Sequence, residues 1–117
     1  MNTAAKTMKR IEAELPHWQI PLMDFVDDLR FYRDAAAIAE PFTASDPRFA
    51  ALLAATIEAL CRELGWKPPT WLNDVRGLPE PWFVSGFQSL KAIALAESPV
   101  WFRMRNVFVL ANFLVRV

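Results

Sequence analysis

The stretch Asp46–Gly65, DPRFAALLAATIEALCRELG, carries its own start and stop signals and constrains everything around it. Asp46 suits the cap position, where a carboxylate accepts from the free N–H groups of the first turn. Pro47 suits the first helical position, where no N–H is needed. Gly65 supplies the left-handed residue on which helices commonly end. Between them Phe49, Leu52, Leu53, Thr56, Ile57, Leu60, Cys61 and Leu64 recur at three- and four-residue spacing, so 47–64 is predicted as a helix with one wide apolar face. Arg48, Glu58, Arg62 and Glu63 mark the opposite face. Such a helix is about 27 Å long, the width of a small domain. The other segments are short enough only to wrap around it.

Nine prolines enforce that wrapping. Residues 2–15 read as a short helix with a weak stripe of Ala5, Met8, Ile11 and Leu15, expected to be frayed or loosely docked, or else a partner-binding arm. Pro16 ends it, and PHWQIP at 16–21 reads as an extended connector between two prolines. Residues 21–40 resume helical spacing through Leu22, Phe25, Val26, Leu29 and Tyr32 or Arg33, and either continue or bend at Asp34. Asp24, Asp27 and Asp28 fall in the early turns, where the helix dipole favours negative charge.

After Gly65, four prolines, two glycines and three tryptophans follow within WKPPTWLNDVRGLPEPWFVSG, which rules out one long helix. Residues 66–85 are therefore expected as an irregular segment pinned by Trp66, Trp71, Leu72, Leu78, Trp82 and Phe83, with one helical turn between Thr70 and Val75. Phe87–Glu97 reads as a helix in which Phe87, Leu90, Ile93, Ala94 and either Ala96 or Glu97 follow the helical period. Ser98-Pro99 looks like a second cap-plus-proline start, opening a short helix at a corner. Residues 106–117 mix strand propensity at Val107–Val109 with helical propensity later. No partner strand is visible, so a short helix or an extended docked tail is expected. The whole reads as one all-α domain over 1–117, a bundle of about five or six helices around 47–64.

At 117 residues the chain is long enough for a core without disulfide or metal staples. Thirteen basic residues balance thirteen acidic ones, so no global field attracts nucleic acid. Hydrophobic content of 54%, with five Trp and nine Phe, is a surplus that should partly reach the surface and mark partner sites. The single Cys61 cannot form an internal disulfide, and no apolar run approaches the length of a membrane span. A soluble, cytoplasmic protein is expected.

The catalytic inventory is thin. His17 is the lone histidine, set in a connector, and Cys61 has no activating neighbour on its helix face. There is no phosphate-cradling glycine loop, CxxC or HExxH, so no cofactor or metal is expected and the protein reads as a non-enzyme. An enzyme would need His17 to meet Asp24, Asp27 or Asp28 in a cleft. The acidic group Asp24, Asp27 and Asp28 reads first as a solvated helix face. Arg103, Arg105 and Arg116 lie near Trp101 and Phe102 in a segment without acids. That pattern allows a nucleic-acid-associated regulator, although Arg103 and Arg105 point to different sides of a helix. Those arginines can equally pair with the acidic 21–40 segment inside the fold or meet a protein partner.

Four stretches, LPHWQIPLMDFVDDLR at 15–30, DPRFAALLAATIEALCRELG at 46–65, EPWFVSG at 80–86 and SPVWFRMRNVFV at 98–109, together resemble a bacterial family of small helical proteins. The resemblance implies a protein that accompanies a nucleotidyltransferase-like protein, as an antitoxin accompanies its toxin, and it brings no catalytic residues. Some members resemble the C-terminal part of longer chains with an N-terminal DNA-binding region, whereas here only the short helix of 2–15 stands in that place. The expected function is thus a protein-interaction module. Trp82, Phe83, Trp101, Arg103 and Arg105 are its expected anchors, with His17 and Trp18 next, since Trp and Arg dominate interface centres. A homodimer that buries the aromatic surplus, or nucleic-acid contact through the basic C-terminal segment, are the alternatives.

Overall fold

The computed structural model describes residues 2–86 and 90–115. Five α-helices are present among them: α1 (Ala4–Ala13), α2 (Gln19–Tyr32), α3 (Pro47–Leu64), α4 (Lys91–Glu97) and α5 (Val100–Arg103). Short 3-10 turns at Leu15–His17, Ala35–Ile38 and Thr70–Asp74 join them. The fold is all-α apart from two two-residue strands, β1 (Trp82–Phe83) and β2 (Val107–Phe108).

Helix α3 is the centre. Asp46 accepts from the Arg48 N–H at 2.9 Å, and Gly65 ends the helix at φ 73°. The Trp66 N–H reaches the Cys61 carbonyl at 2.7 Å and the Gly65 N–H that of Arg62 at 3.3 Å, so the last carbonyls are satisfied in the Schellman manner. The predicted apolar face is buried, except that Leu64 is only half-buried. Ala51, Ala54 and Ala55 are buried as well. Alanines on the flanks let neighbours approach on more than one side, and α1, α2, α5 and β2 all pack against this helix.

The N-terminal helix is not frayed. Thr3 caps it by accepting from the Lys6 N–H, and Ala4, Met8 and Ile11 are fully buried. It runs antiparallel to α2, since Arg10 reaches Asp24 at 3.2 Å while the earlier Asn2 reaches the later Asp28 at 2.9 Å. The connector predicted as extended is instead a 3-10 turn, and α2 begins two residues before Pro21. Pro21 lies in the first turn of α2, where its missing N–H costs nothing. Arg33, at φ 51°, closes α2 in the left-handed conformation, and Asp34 then caps the next turn through the Ala36 N–H at 3.0 Å. The chain therefore bends there rather than continuing as one helix.

The irregular segment packs as expected. Leu72 is buried, Trp66, Trp71, Leu78 and Trp82 rest against the core, and Trp71 donates its indole N–H to the Ile38 carbonyl at 3.0 Å. Phe83 departs from that pattern and stacks on Phe108 at 5.2 Å. This contact belongs to the main correction of the sequence reading: β1 and β2 pair in parallel, Trp82 opposite Val107 and Phe83 opposite Phe108. Ser98 also departs from expectation. It does not cap α5; its buried hydroxyl donates to the Val107 carbonyl at 3.4 Å and accepts from the Val109 N–H at 3.1 Å, tying the helical corner to β2. The expected first turn of the Phe87–Glu97 helix, from Phe87 to Ser89, lies outside the described residues, as does Arg116. Beyond β2 the chain is a docked tail with a turn at residues 111–114, in which Phe113 meets Phe102 edge-on at 5.7 Å.

Gly77 marks where the irregular segment crosses the chain leading into β2. A Cβ there would lie 2.9 Å from the Arg105 Cα and 3.3 Å from its carbonyl oxygen, both backbone atoms that cannot swing aside. Gly77→Ala is expected to destabilise by about 1–3 kcal/mol, the range for overpacking, read as a lower urea midpoint at unchanged m-value.

Candidate interaction surfaces

Side-chain chemistry concentrates at two ends of α3. Near its N-terminus, Phe49 takes the edges of Trp18 at 5.6 Å and Trp82 at 5.5 Å. The Arg48 guanidinium lies over the Trp82 ring at 5.4 Å. Near the C-terminus, Glu58 holds Arg105 at 3.0 Å and Arg62 at 3.8 Å, and Arg62 in turn lies over Trp101 at 4.8 Å. These groups are on the order of 20 Å apart along the helix axis.

The seven expected anchors are thus not brought into one patch. Trp18 and Trp82 share Phe49 and are half-buried; His17 is exposed at the end of the first 3-10 turn. Phe83 is half-buried on Phe108, with the Lys91 ammonium 5.3 Å above its ring. Trp101 is half-buried beneath Arg62. Arg103 is exposed but donates its Nε–H to the Ser98 carbonyl at 2.8 Å, which orients it along the corner.

Arg105 is a correction: it is a core residue, only 7% exposed. Its guanidinium donates to Glu58 at 3.0 Å and to the Leu72 carbonyl at 3.1 Å, clamping the irregular segment and the approach to β2 against α3. An arginine so placed cannot serve as an interface anchor. The acidic group is likewise engaged within the fold: Asp24 by Arg10, and Asp28 by the backbone and side-chain amides of Asn2. Intramolecular pairing of charges therefore occurs, with Asp24 and Asp28 of α2 tied to Arg10 of α1 and to Asn2 just before it. Arg30 instead makes a bidentate pair with Glu63 at 2.8 Å and donates to the Leu114 carbonyl at 2.6 Å. Cys61 is fully buried, and desolvation, reinforced by the Glu58 charge, pushes its thiol up to about 11. It is therefore neutral and inaccessible rather than a nucleophile.

The surface that sequence reasoning missed is apolar. Helix α4, KAIALAE, buries only Ala94 and half-buries Lys91, leaving Ala92, Ile93, Leu95 and Ala96 exposed. Val100, which opens α5, and Met104, which follows it, are exposed as well, Met104 at 64%. A second exposed pair, Phe31 and Tyr32, closes α2; their rings meet edge-on at 4.9 Å, and Phe31 is 79% exposed. A signal was present in the sequence: a helix apolar on all faces has more hydrophobic surface than a seven-residue element can bury.

Among the described residues, no helix is long and apolar enough to cross a membrane. No protein-family model matches the chain, and no curated protein or solved structure matches it.

Proposed function

We propose that this protein is a non-catalytic interaction module that binds a partner protein through the exposed apolar surface of α4 and α5. The observation that carries the reading is α4 itself, which leaves Ala92, Ile93, Leu95 and Ala96 facing water. Exposed apolar surface of this kind costs solubility and marks a contact site in a protein that retains it. Arg103, exposed beside Met104 and oriented by Ser98, supplies a polar rim group of the type enriched at interfaces. The finer form of the proposal follows the resemblance of four stretches to a family that accompanies nucleotidyltransferase-like proteins. The partner is then such a protein, held in the manner of an antitoxin, in the cytoplasm.

The test is affinity capture of the tagged full chain from its own host with nuclease present, beside an Ile93→Asp/Met104→Asp variant. Exposed substitutions of this kind change stability by no more than about 0.5 kcal/mol, so helix content and melting temperature should match the parent. The expected result is one nucleotidyltransferase-like protein recovered in stoichiometric amount with the parent and lost with the variant. Recovery of the parent alone, with light scattering giving a dimer that the variant breaks, would replace the partner protein by a second copy. Recovery of the parent alone as a monomer would remove the proposal.

A further inference from the structure

The last turns of α3 and the loop that follows enclose a cavity of about 280 Å³ whose chemistry differs from the apolar surface of α4. Glu58 and Arg62 line it from the helix, Lys67, Pro68 and Pro69 from the loop, and Thr70 and Asn73 from the 3-10 turn. Its charges do not balance. Glu58 carries one negative charge and serves two guanidiniums, Arg105 at 3.0 Å and Arg62 at 3.8 Å. One cation of that trio is surplus, and Lys67 adds another. A partly enclosed site with low-dielectric walls concentrates such a field.

The groups are also oriented. The contact of Arg62 with the Trp101 ring restricts the plane of its guanidinium, and half of that side chain remains open to solvent. Pro68 and Pro69 stiffen the loop that carries Lys67, so little ordering remains for a ligand to impose. Thr70 and Asn73 bring a hydroxyl and an amide, both able to donate. Behind the wall, the buried Nε of Arg105 has no hydrogen-bond partner, which leaves one more donor uncompensated beside Glu58 and Leu72.

We infer that this cavity binds a phosphate group, free or as the monoester of a small molecule. Arg62 and Lys67 supply the charge, and Thr70 and Asn73 supply neutral donors. With the Glu58 charge engaged by the buried Arg105 behind the wall, Arg62 and Lys67 are left to meet a dianion. Its tetrahedral oxygens can accept from donors on three chain segments lining the cavity. A singly charged planar carboxylate would leave part of that set unused. None of the residues lining the cavity belongs to α4 or α5.

Isothermal titration and thermal melting of the full chain test this with inorganic phosphate, with glycerol phosphate, and with potassium chloride at matched ionic strength. Phosphate should raise the melting temperature progressively while chloride does not. Loss of one charge-assisted hydrogen bond is worth about tenfold in affinity, so Arg62→Ala/Lys67→Ala should weaken phosphate binding by about a hundredfold. Should Arg62→Ala disturb the Trp101 packing, Lys67→Glu reverses one charge at an exposed loop position and should abolish the response by itself. Tighter binding of glycerol phosphate than of phosphate assigns the site to a monoester, and equal binding assigns it to the free anion. A response no larger than that to chloride, or one undiminished in the Lys67→Glu variant, would overturn the inference.

Discussion

Replacing Glu58 by Ala is expected to lower the unfolding free energy by about 3–5 kcal/mol, the range for removing one member of a buried ion pair. The two side chains are 13% and 8% exposed, so the Arg105 charge cannot be re-solvated where it stands. An arginine cannot shed its proton to relieve the strain. Its Nε already lacks a partner, and the substitution would leave the Leu72 carbonyl as the only acceptor the guanidinium retains among the described residues. Substituting both members, Glu58→Leu with Arg105→Met, removes the charge and keeps the volume, and should recover most of the loss. Urea unfolding of the two single variants and the pair gives the coupling directly. A near-neutral Glu58→Ala would mean that Arg105 swings out to water, and the clamp on the irregular segment would then not exist.

Phe102→Ala should cost a similar amount, about 3–5 kcal/mol, the range for truncating a buried aromatic. Helix α5 is only four residues long, and Phe102 is its one buried side chain. That ring is fully buried and meets Phe113 edge-on at 5.7 Å, so it holds the corner to the docked tail as well as filling the core. Phe102→Leu, which keeps most of the volume, should cost clearly less. Comparable losses for both variants would mean that the ring's contact with Phe113, rather than its volume, dominates. Melting followed by near-ultraviolet circular dichroism would report the tail, and far-ultraviolet signal the helices.

Much of the framework was legible because its signals are local. Asp46, Pro47 and Gly65 act within one turn of their own positions, and α3 has those limits. The same logic misplaced Ser98. Its sequence context is that of a cap, yet in the fold the hydroxyl has a better use bridging Val107 and Val109. Pro21 closes the expected connector, yet α2 begins at Gln19, because a proline in the first turn and one before a helix look alike along the chain. The strand pair was invisible for a different reason. Val107–Phe108 has strand character, but its mate, Trp82–Phe83, lies in a proline-flanked stretch with no alternation to announce it. Arg105 reads as an anchor along the chain because Trp and Arg dominate interface centres. Only the three-dimensional approach of Glu58 and Leu72 makes its burial tolerable. Of the candidate site, the aromatics Trp18, Trp82, Phe83 and Trp101 are half-buried. The most exposed large apolar side chains are Phe31, Met104 and Tyr32, followed by Val115, Ile20 and Val100 and then by Leu95 and Ile93 of α4.

The parallel pairing of β1 with β2 closes the chain into a ring. Parallel neighbours need a crossover, and here the crossover between the two strands contains α4 and α5. The ring is fastened by the Trp82 N–H on the Asn106 carbonyl at 3.0 Å and the Val84 N–H on that of Phe108 at 3.1 Å, with the Leu78 N–H on the Arg105 carbonyl at 2.9 Å just outside. So short a seam depends on the groups around it. Ser98 bridges Val107 and Val109, the Asn106 amide donates to the Leu78 carbonyl at 3.0 Å, and Phe102 and Val107 are fully buried. Its local opening must break these contacts together. Whatever grips the outer surface of α4 and α5 also holds the ring shut, so occupancy there and closure of the seam are linked by mass action. In kinetic terms, a bound companion would slow amide exchange at Trp82 and Val84, groups distant in sequence from the residues it touches.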